Sequence, residues 1–386
     1  MLLCVKTYST ILHKYTSIDG AETFAKLFFL CLLKIIIICV MKKAKSIIKI
    51  SYGIDISSDD FTASQGIYYS DLDREVFIIK KFKNTTRGFD KFLAHVKKQK
   101  SKINPDGTIQ TWFVMEASGV YYENLAYYLH EKGQKVHVAL PNKVKSYIKT
   151  LENKSKTDDL DSLAIAQYGL EKQINQWVPP SAEMKELKEL SRELSSLKDM
   201  STQAKNQNHA REKAHDINSS SSKRIKEIIK YLNKQIKKVE KDIETAVKSN
   251  SELKEKLDKI TIIKGIGLQT AVMIIAETNA FEGIENRRQL TSYVGLDVKE
   301  NQSGKKAGRA CISKHGNKYV RKGLYMPALS CKKHDKKFKD LYERVCERHG
   351  WKIKKIGIVA VMRKILHIIY ALWKNGTAYD PNYKMA

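Results

Sequence analysis

The chain has 386 residues, a formal net charge of +28 and a hydrophobic fraction of 42%, enough apolar sequence for packed cores, which excludes a disordered basic tail. Lysine and arginine recur along its whole length and imply a polyanionic partner, because cationic side chains gain affinity by releasing counterions from nucleic acid. Its cysteines (Cys4, Cys31, Cys39, Cys311, Cys331 and Cys346) make no C-x-x-C pair and no Cys/His cluster of zinc spacing; the pattern supports neither a structural zinc nor a disulfide framework, and a reducing, cytoplasmic compartment is expected.

Residues 27–40 are almost continuously apolar, broken by Lys34. A spanning helix needs about 20 residues, so no stable membrane association is expected. Translation from Met41 accounts best for residues 1–40, as a non-native extension; a membrane anchor and a packed accessory helix are the alternatives. From Ile48 the character changes. Ile48, Ile50, Tyr52 and Ile54 alternate as a strand, and 62–70 and 75–82 read as the second and third of an antiparallel meander. Residues 86–98 carry Phe89, Phe92, Leu93 and Val96 at helical spacing, 109–115 form a buried strand, 121–131 a helix and 135–140 a strand. Residues 142–151 and 158–170 read as helices before Pro179 and Pro180 end the region. Three strands, a helix, a strand, a helix and a strand make the order of a ribonuclease-H-like (RuvC-like) α/β domain, placed at 46–180.

Acidic residues punctuate that order. Asp55 lies inside the first strand and Glu116 follows the buried one, while Asp158 and Asp161 stand i, i+3 on one face of the last helix. Carboxylates on neighbouring strand ends and a facing helix suit two hard cations, here Mg2+, which take oxygen ligands and stabilise both sides of an in-line phosphoryl displacement. Asp159 lies about 100° around the helix from Asp158 and is left out.

A helical region follows at 181–256. Ile225, Ile229, Leu232, Ile236, Val239, Ile243 and Ala246 form a heptad seam, Leu187, Leu190, Leu194 and Leu197 begin a similar one, and Ser219 to Ser222 separate them. An antiparallel hairpin and a two-chain coiled coil both satisfy the pattern; dimerisation is the favoured reading, with a homo-oligomer expected. The last region, 257–375, is mostly helical. Lys264, Gly265 and Gly267 resemble a helix-hairpin-helix turn, where glycines allow close backbone approach and amides grip a phosphate. A polar loop then carries Ser303 beside Lys305, Lys306 and Arg309, and Lys314 and Arg321 continue the cationic run. Ser313, next to Lys314 and His315, is the second loop serine with basic neighbours.

Taken in order, GIDIS, MEASG, KTDDLD, the helical seam, KGIG and QSGKKAGRACISKHGN resemble the transposases of the insertion-sequence-110 family, over residues 50–373. The resemblance implies a RuvC-like domain whose acidic tetrad is Asp55, Glu116, Asp158 and Asp161. It also implies a C-terminal domain with a catalytic serine, which falls on Ser303. Members recombine donor and target DNA under the direction of a structured bridge RNA, so DNA and a guide RNA are the implied partners. Family members usually start close to the first Asp, which favours Met41, and Ser162 stands where alanine is common. Two other functions use part of the same features: a RuvC-type endonuclease that hydrolyses DNA without Ser303, and a non-catalytic DNA-binding derivative.

Overall fold

Strict alternation in the first half of the chain becomes a five-stranded sheet. The computed structural model describes residues 46–382 apart from 105, 118, 152–154, 156, 216–218, 301, 304–305, 309–310 and 352. The apolar run at 27–40, Met41, Gly304, Lys305 and Arg309 lie outside the described residues. Contacts divide the chain into two units that meet in sequence at Trp177 and Val178.

In the first unit β1 (Ile47–Ile56), β2 (Asp60–Tyr69) and β3 (Arg74–Lys83) form the meander, followed by α1 (Thr86–Ile103), β4 (Gln110–Glu116), α2 (Glu123–Glu131), β5 (Lys135–Ala139), α3 (Pro141–Ile148) and α4 (Asp158–Glu171). The strand order is β3-β2-β1-β4-β5, with β1 antiparallel to β2 and parallel to β4. That mixed order is ribonuclease-H-like. The helix expected from 142 starts one residue earlier, because Pro141 fits a first helical position whose N–H has no intrahelical partner.

Both faces of the sheet are covered. Ile50, Tyr52, Ile54, Phe113 and Met115 pack with Phe89 and Phe92 of α1 and Leu125 and Leu129 of α2. On the opposite face Trp112 and Val114 pack with Val144, Tyr147, Ile165 and Tyr168 of α3 and α4. Helix α4 lies against β1 without intervening side chains. A Cβ on Gly53 would collide with the backbone of Ala166 and the carbonyl of Ser162, and one on Gly169 would collide with the Ser51 hydroxyl. Ser162 is fully buried there, and its hydroxyl lies 2.6 Å from that of Ser64 and donates to the Asp159 carbonyl at 2.9 Å. A serine at this position therefore satisfies its polar atom locally, and the departure from alanine leaves no buried polar group unpaired.

The second unit is helical: α5 (Ala182–Glu212), α6 (Ser219–Ser249), α7 (Ser251–Thr261), α8 (Leu268–Glu277), α9 (Arg287–Val294), α10 (Lys318–Gly323), α11 (Tyr325–His334), α12 (Lys336–Arg348) and α13 (Lys354–Asn375). Short strands β6 (Val298–Lys299), β7 (Gln302–Ser303), β8 (Lys306–Ala307) and β9 (Cys311–Ile312) lie between α9 and α10. Helices α5 and α6 run antiparallel within the chain, as Asn250 to Glu183, Lys198 to Glu240 and Ser201 to Asn233 contacts show. The heptad seam thus finds its partner in the same chain. Ser219 to Ser222, expected to break the two helices, instead form the first turn of α6, where serine is tolerated because it can serve exposed amides. The base of the hairpin joins one large core with α7 to α13, from Met184 and Leu187 to Ile365 and Ile369. Helix α13 is long and apolar enough to cross a membrane by length and composition; Val361, Ile365, Leu366 and Ile369 on it are fully buried in this core.

Candidate active site

The parallel register of β1 and β4 runs to Ile54 opposite Met115, so Asp55 and Glu116 follow as the next residues on adjacent strands, at the same end of the sheet. Both are half-buried. Asp55 also faces Thr62 on β2, and Thr62 faces Lys81 on β3. Side chains alternate faces along a strand, so these residues share the face covered by α4. The close approach at Gly53 sets the first turn of α4, with Asp158 and Asp161, over this end of β1. Thr157 caps the helix by accepting from the Leu160 amide at 3.2 Å, and the acids in that turn complement the positive end of the helix dipole.

Lys81 reaches into this group. Its Nζ lies 3.2 Å from Asp60 Oδ1 and 3.3 Å from Asp158 Oδ2. The hydrogen bond to Asp60, then that to Asp158, holds its pKa above that of an ordinary lysine. Among the described residues no three His, Cys, Asp or Glu side chains stand close enough together to hold a metal ion. The donor set is chemically suited to a hard divalent cation, and topology brings all four acids to one end of the sheet. The side chains as they stand do not form a cage, and Asp158 is paired with an ammonium. Lys81 and Asp60 are absent from the residues singled out by sequence. The available signal was the alternation of β3, which puts Lys81 on the face of Asp55 once the meander is registered.

In the second unit, Ser303 lies on β7, paired to β8 through Ser303 opposite Lys306. Lys264 is exposed in the turn between α7 and α8. Gly265 has φ +104°, and a Cβ there would press on the Cys331 amide and Ser330 of α11. Glycine at 265 is therefore required for helix packing as well as for the turn. Gly267 is the N-cap of α8, and a Cβ on it would meet nothing within 4 Å. Lys314 is exposed with φ 57°. Arg321 is half-buried, and its Nη1 donates to the Val294 carbonyl at 2.6 Å, which ties α10 to the end of α9. Ser313 donates to Asp297 Oδ1 at 2.5 Å, and its amide donates to the Asp297 carbonyl at 2.9 Å; it braces the loop.

A buried clamp supports this region. Glu277, whose side chain is 1% exposed, accepts from Arg192 Nε at 2.6 Å and Nη2 at 3.0 Å, and from Asn317 Nδ2 at 2.7 Å. Arg192 also lies 4.5 Å from the centre of the Tyr319 ring. Asn317 caps α10, accepting from the Tyr319 and Val320 amides. Removing one partner of a buried pair strands a charge. Arg192→Met is therefore expected to lower stability by about 3 kcal/mol, read as a reduced urea midpoint at unchanged slope. An unchanged midpoint would mean that Asn317 alone satisfies the carboxylate.

Comparison with known proteins adds two kinds of likeness. A family model for DEDD transposases of the IS110 type matches residues 52–211, and one described as "Transposase IS116/IS110/IS902 family" matches residues 257–343. The chain is 26% identical over 268 residues to a pilin gene-inverting protein of Moraxella bovis, covering 69% of this chain and 81% of that protein. It is 28% identical over 142 residues to the transposase of insertion sequence element IS1111A from Coxiella burnetii, covering 36% of this chain and 38% of that one. Among solved structures it is similar to T. thermophilus RuvC in complex with a Holliday junction substrate, with TM-score 0.23 and 10% identity over 33% of this chain and 99% of that one.

Proposed function

This chain belongs to the IS110 family of insertion-sequence transposases, and from that membership we propose that it cuts and rejoins DNA with a divalent-metal site on Asp55, Glu116, Asp158 and Asp161 and a nucleophile at Ser303. The observation that carries this reading is the placement of Asp55 and Glu116 on adjacent parallel strand ends beneath the first turn of α4. Asp55, Glu116, Asp158 and Asp161 would hold a divalent ion such as magnesium, which when bound would neutralise charge at a scissile phosphate. The chain's own residues do the rest. The Ser303 hydroxyl gives up its proton as Oγ bonds to phosphorus, the bond from phosphorus to the neighbouring nucleotide breaks, and the leaving oxygen takes a proton. Attack by the hydroxyl of another strand on the resulting phosphoserine reverses these changes and rejoins the DNA, with no high-energy cofactor. Lys264, with the amides after Gly267, and Lys305, Lys306, Arg309 and Lys314 bind the phosphate backbone in this scheme.

The name of the Moraxella bovis relative supports rejoining over plain hydrolysis, since inverting a gene leaves DNA continuous. A structured guide RNA is the second polyanion in the proposal, and the net charge of +28 accommodates both. Expressing the chain with the DNA that flanks its gene tests the whole reading. Recombinant junctions, and one abundant structured RNA among the nucleic acids that copurify, are expected. Cut ends without joined products would replace recombination by hydrolysis.

A further inference from the structure

The ammonium of Lys81 already occupies one of the acids assigned above to the metal. It bridges Asp60 at 3.2 Å and Asp158 at 3.3 Å, and Asp158 is one of the four acids assigned above to the metal. We propose that Lys81 is an internal counter-cation, which competes with the divalent metal for Asp158 and yields that carboxylate only when the metal displaces it. The inference rests on the reading of Asp158 as a metal ligand.

Two observations lead here. Lys81 lies opposite Thr62, which lies opposite Asp55; with strands about 4.8 Å apart, its Cα is about 10 Å from that of Asp55. A lysine side chain spans much of that distance, so the ammonium can reach the acidic end while its backbone stays in β3. Secondly, the two contacts of Lys81 differ. Its side chain is 52% exposed and that of Asp158 is 65% exposed, whereas Asp60 is only 23% exposed. An exposed ion pair is weak and yields readily to a divalent ion. Asp60, held also by the Ser57 hydroxyl at 3.1 Å and by Lys83 at 3.9 Å, remains as the tether that keeps Lys81 paired after Asp158 has left.

Calorimetric titration of Mn2+ into the full chain separates the possibilities. Lys81→Met removes the competitor and adds one net negative charge near the site, so its apparent dissociation constant is expected to fall about fivefold. Lys81→Arg keeps the charge and is expected to stay within about twofold of the parent. Lys81→Gln serves as a second neutral variant if methionine disturbs the strand. Asp158→Asn is expected to weaken binding and, when combined with Lys81→Met, to erase the gain that Lys81→Met gives in the parent. If Asp158→Asn weakens Mn2+ binding but neither neutral variant tightens it, the role of Lys81 is overturned while the ligand assignment stands. If Asp158→Asn binds Mn2+ as tightly as the parent, or no variant binds detectably, the ligand assignment fails and the proposal with it.

Discussion

Asp55→Asn, Glu116→Gln, Asp158→Asn and Asp161→Asn are each expected to lower DNA cleavage by about 10²–10³-fold or more, the scale on which preorganised charge stabilisation acts. Folding should survive in all four. Asp55, Glu116 and Asp161 are half-buried at the rim of the sheet and Asp158 is exposed, so none supports the cores on either face. Binding to DNA, read by gel shift, should remain close to the parent, because affinity comes mainly from cationic contacts to phosphates. Asp159→Asn is the control. Its side chain is exposed and its backbone carbonyl accepts from Ser162, a bond that the substitution leaves in place, so activity should persist. Full recombination by Asp158→Asn in magnesium would sink the tetrad.

Ser303→Ala is expected to abolish the covalent protein–DNA adduct and to lower strand exchange by about 10³-fold or more, as loss of a nucleophile does in other enzymes. The adduct should survive denaturation in detergent and map by mass spectrometry to the peptide that contains Ser303. Ser313→Ala should keep the adduct while loosening the loop, since Ser313 is bonded twice to Asp297. An adduct mapped to Ser313, or free cut ends from Ser303→Ala, would overturn the assignment. The acids and Ser303 belong to different units of the chain, so mixing Asp158→Asn protein with Ser303→Ala protein asks a further question. Restored cleavage would show that two copies build one centre.

Much of the first unit was legible because alternation and helical spacing are strong there. The positions of β1 to β5 and the burial of Phe89, Phe92, Phe113 and Met115 follow from period alone. Asp55 and Glu116 could be placed at neighbouring strand ends by reading where the apolar runs stop. The bridge from Lys81 to Asp60 and Asp158 could not, because it depends on the register of three strands and on the height of α4 above them. That height is set by glycines at 53 and 169, and an isolated glycine in a strand does not announce what approaches it. The helical seam was legible as a seam but not as to its partner, since a heptad pattern is the same for an intrachain and an interchain neighbour. The salt bridge of Arg192 with Glu277, 85 residues apart in sequence, left no local trace at all.

The placement of that salt bridge has mechanical meaning for the hairpin of α5 and α6. Beyond Arg192, Lys198 still bonds Gln269 of α8 and Asp199 pairs with Lys322 of α10; from Asp199 to the end of α5 at Glu212 is about 20 Å of helix at 1.5 Å per residue, and this outer part is held by a small cluster of its own, Ala204, Ile225 and Leu232 with Leu197 and Ile229. Such an arm is stiff along its length and fastened at its root. A load applied at its tip, whether by nucleic acid or by another protein, arrives as torque on the ties at Lys198 and Asp199 and, behind them, on Glu277. Asn317 shares that fulcrum, and it closes the stretch of chain that begins after α9 and carries Ser303.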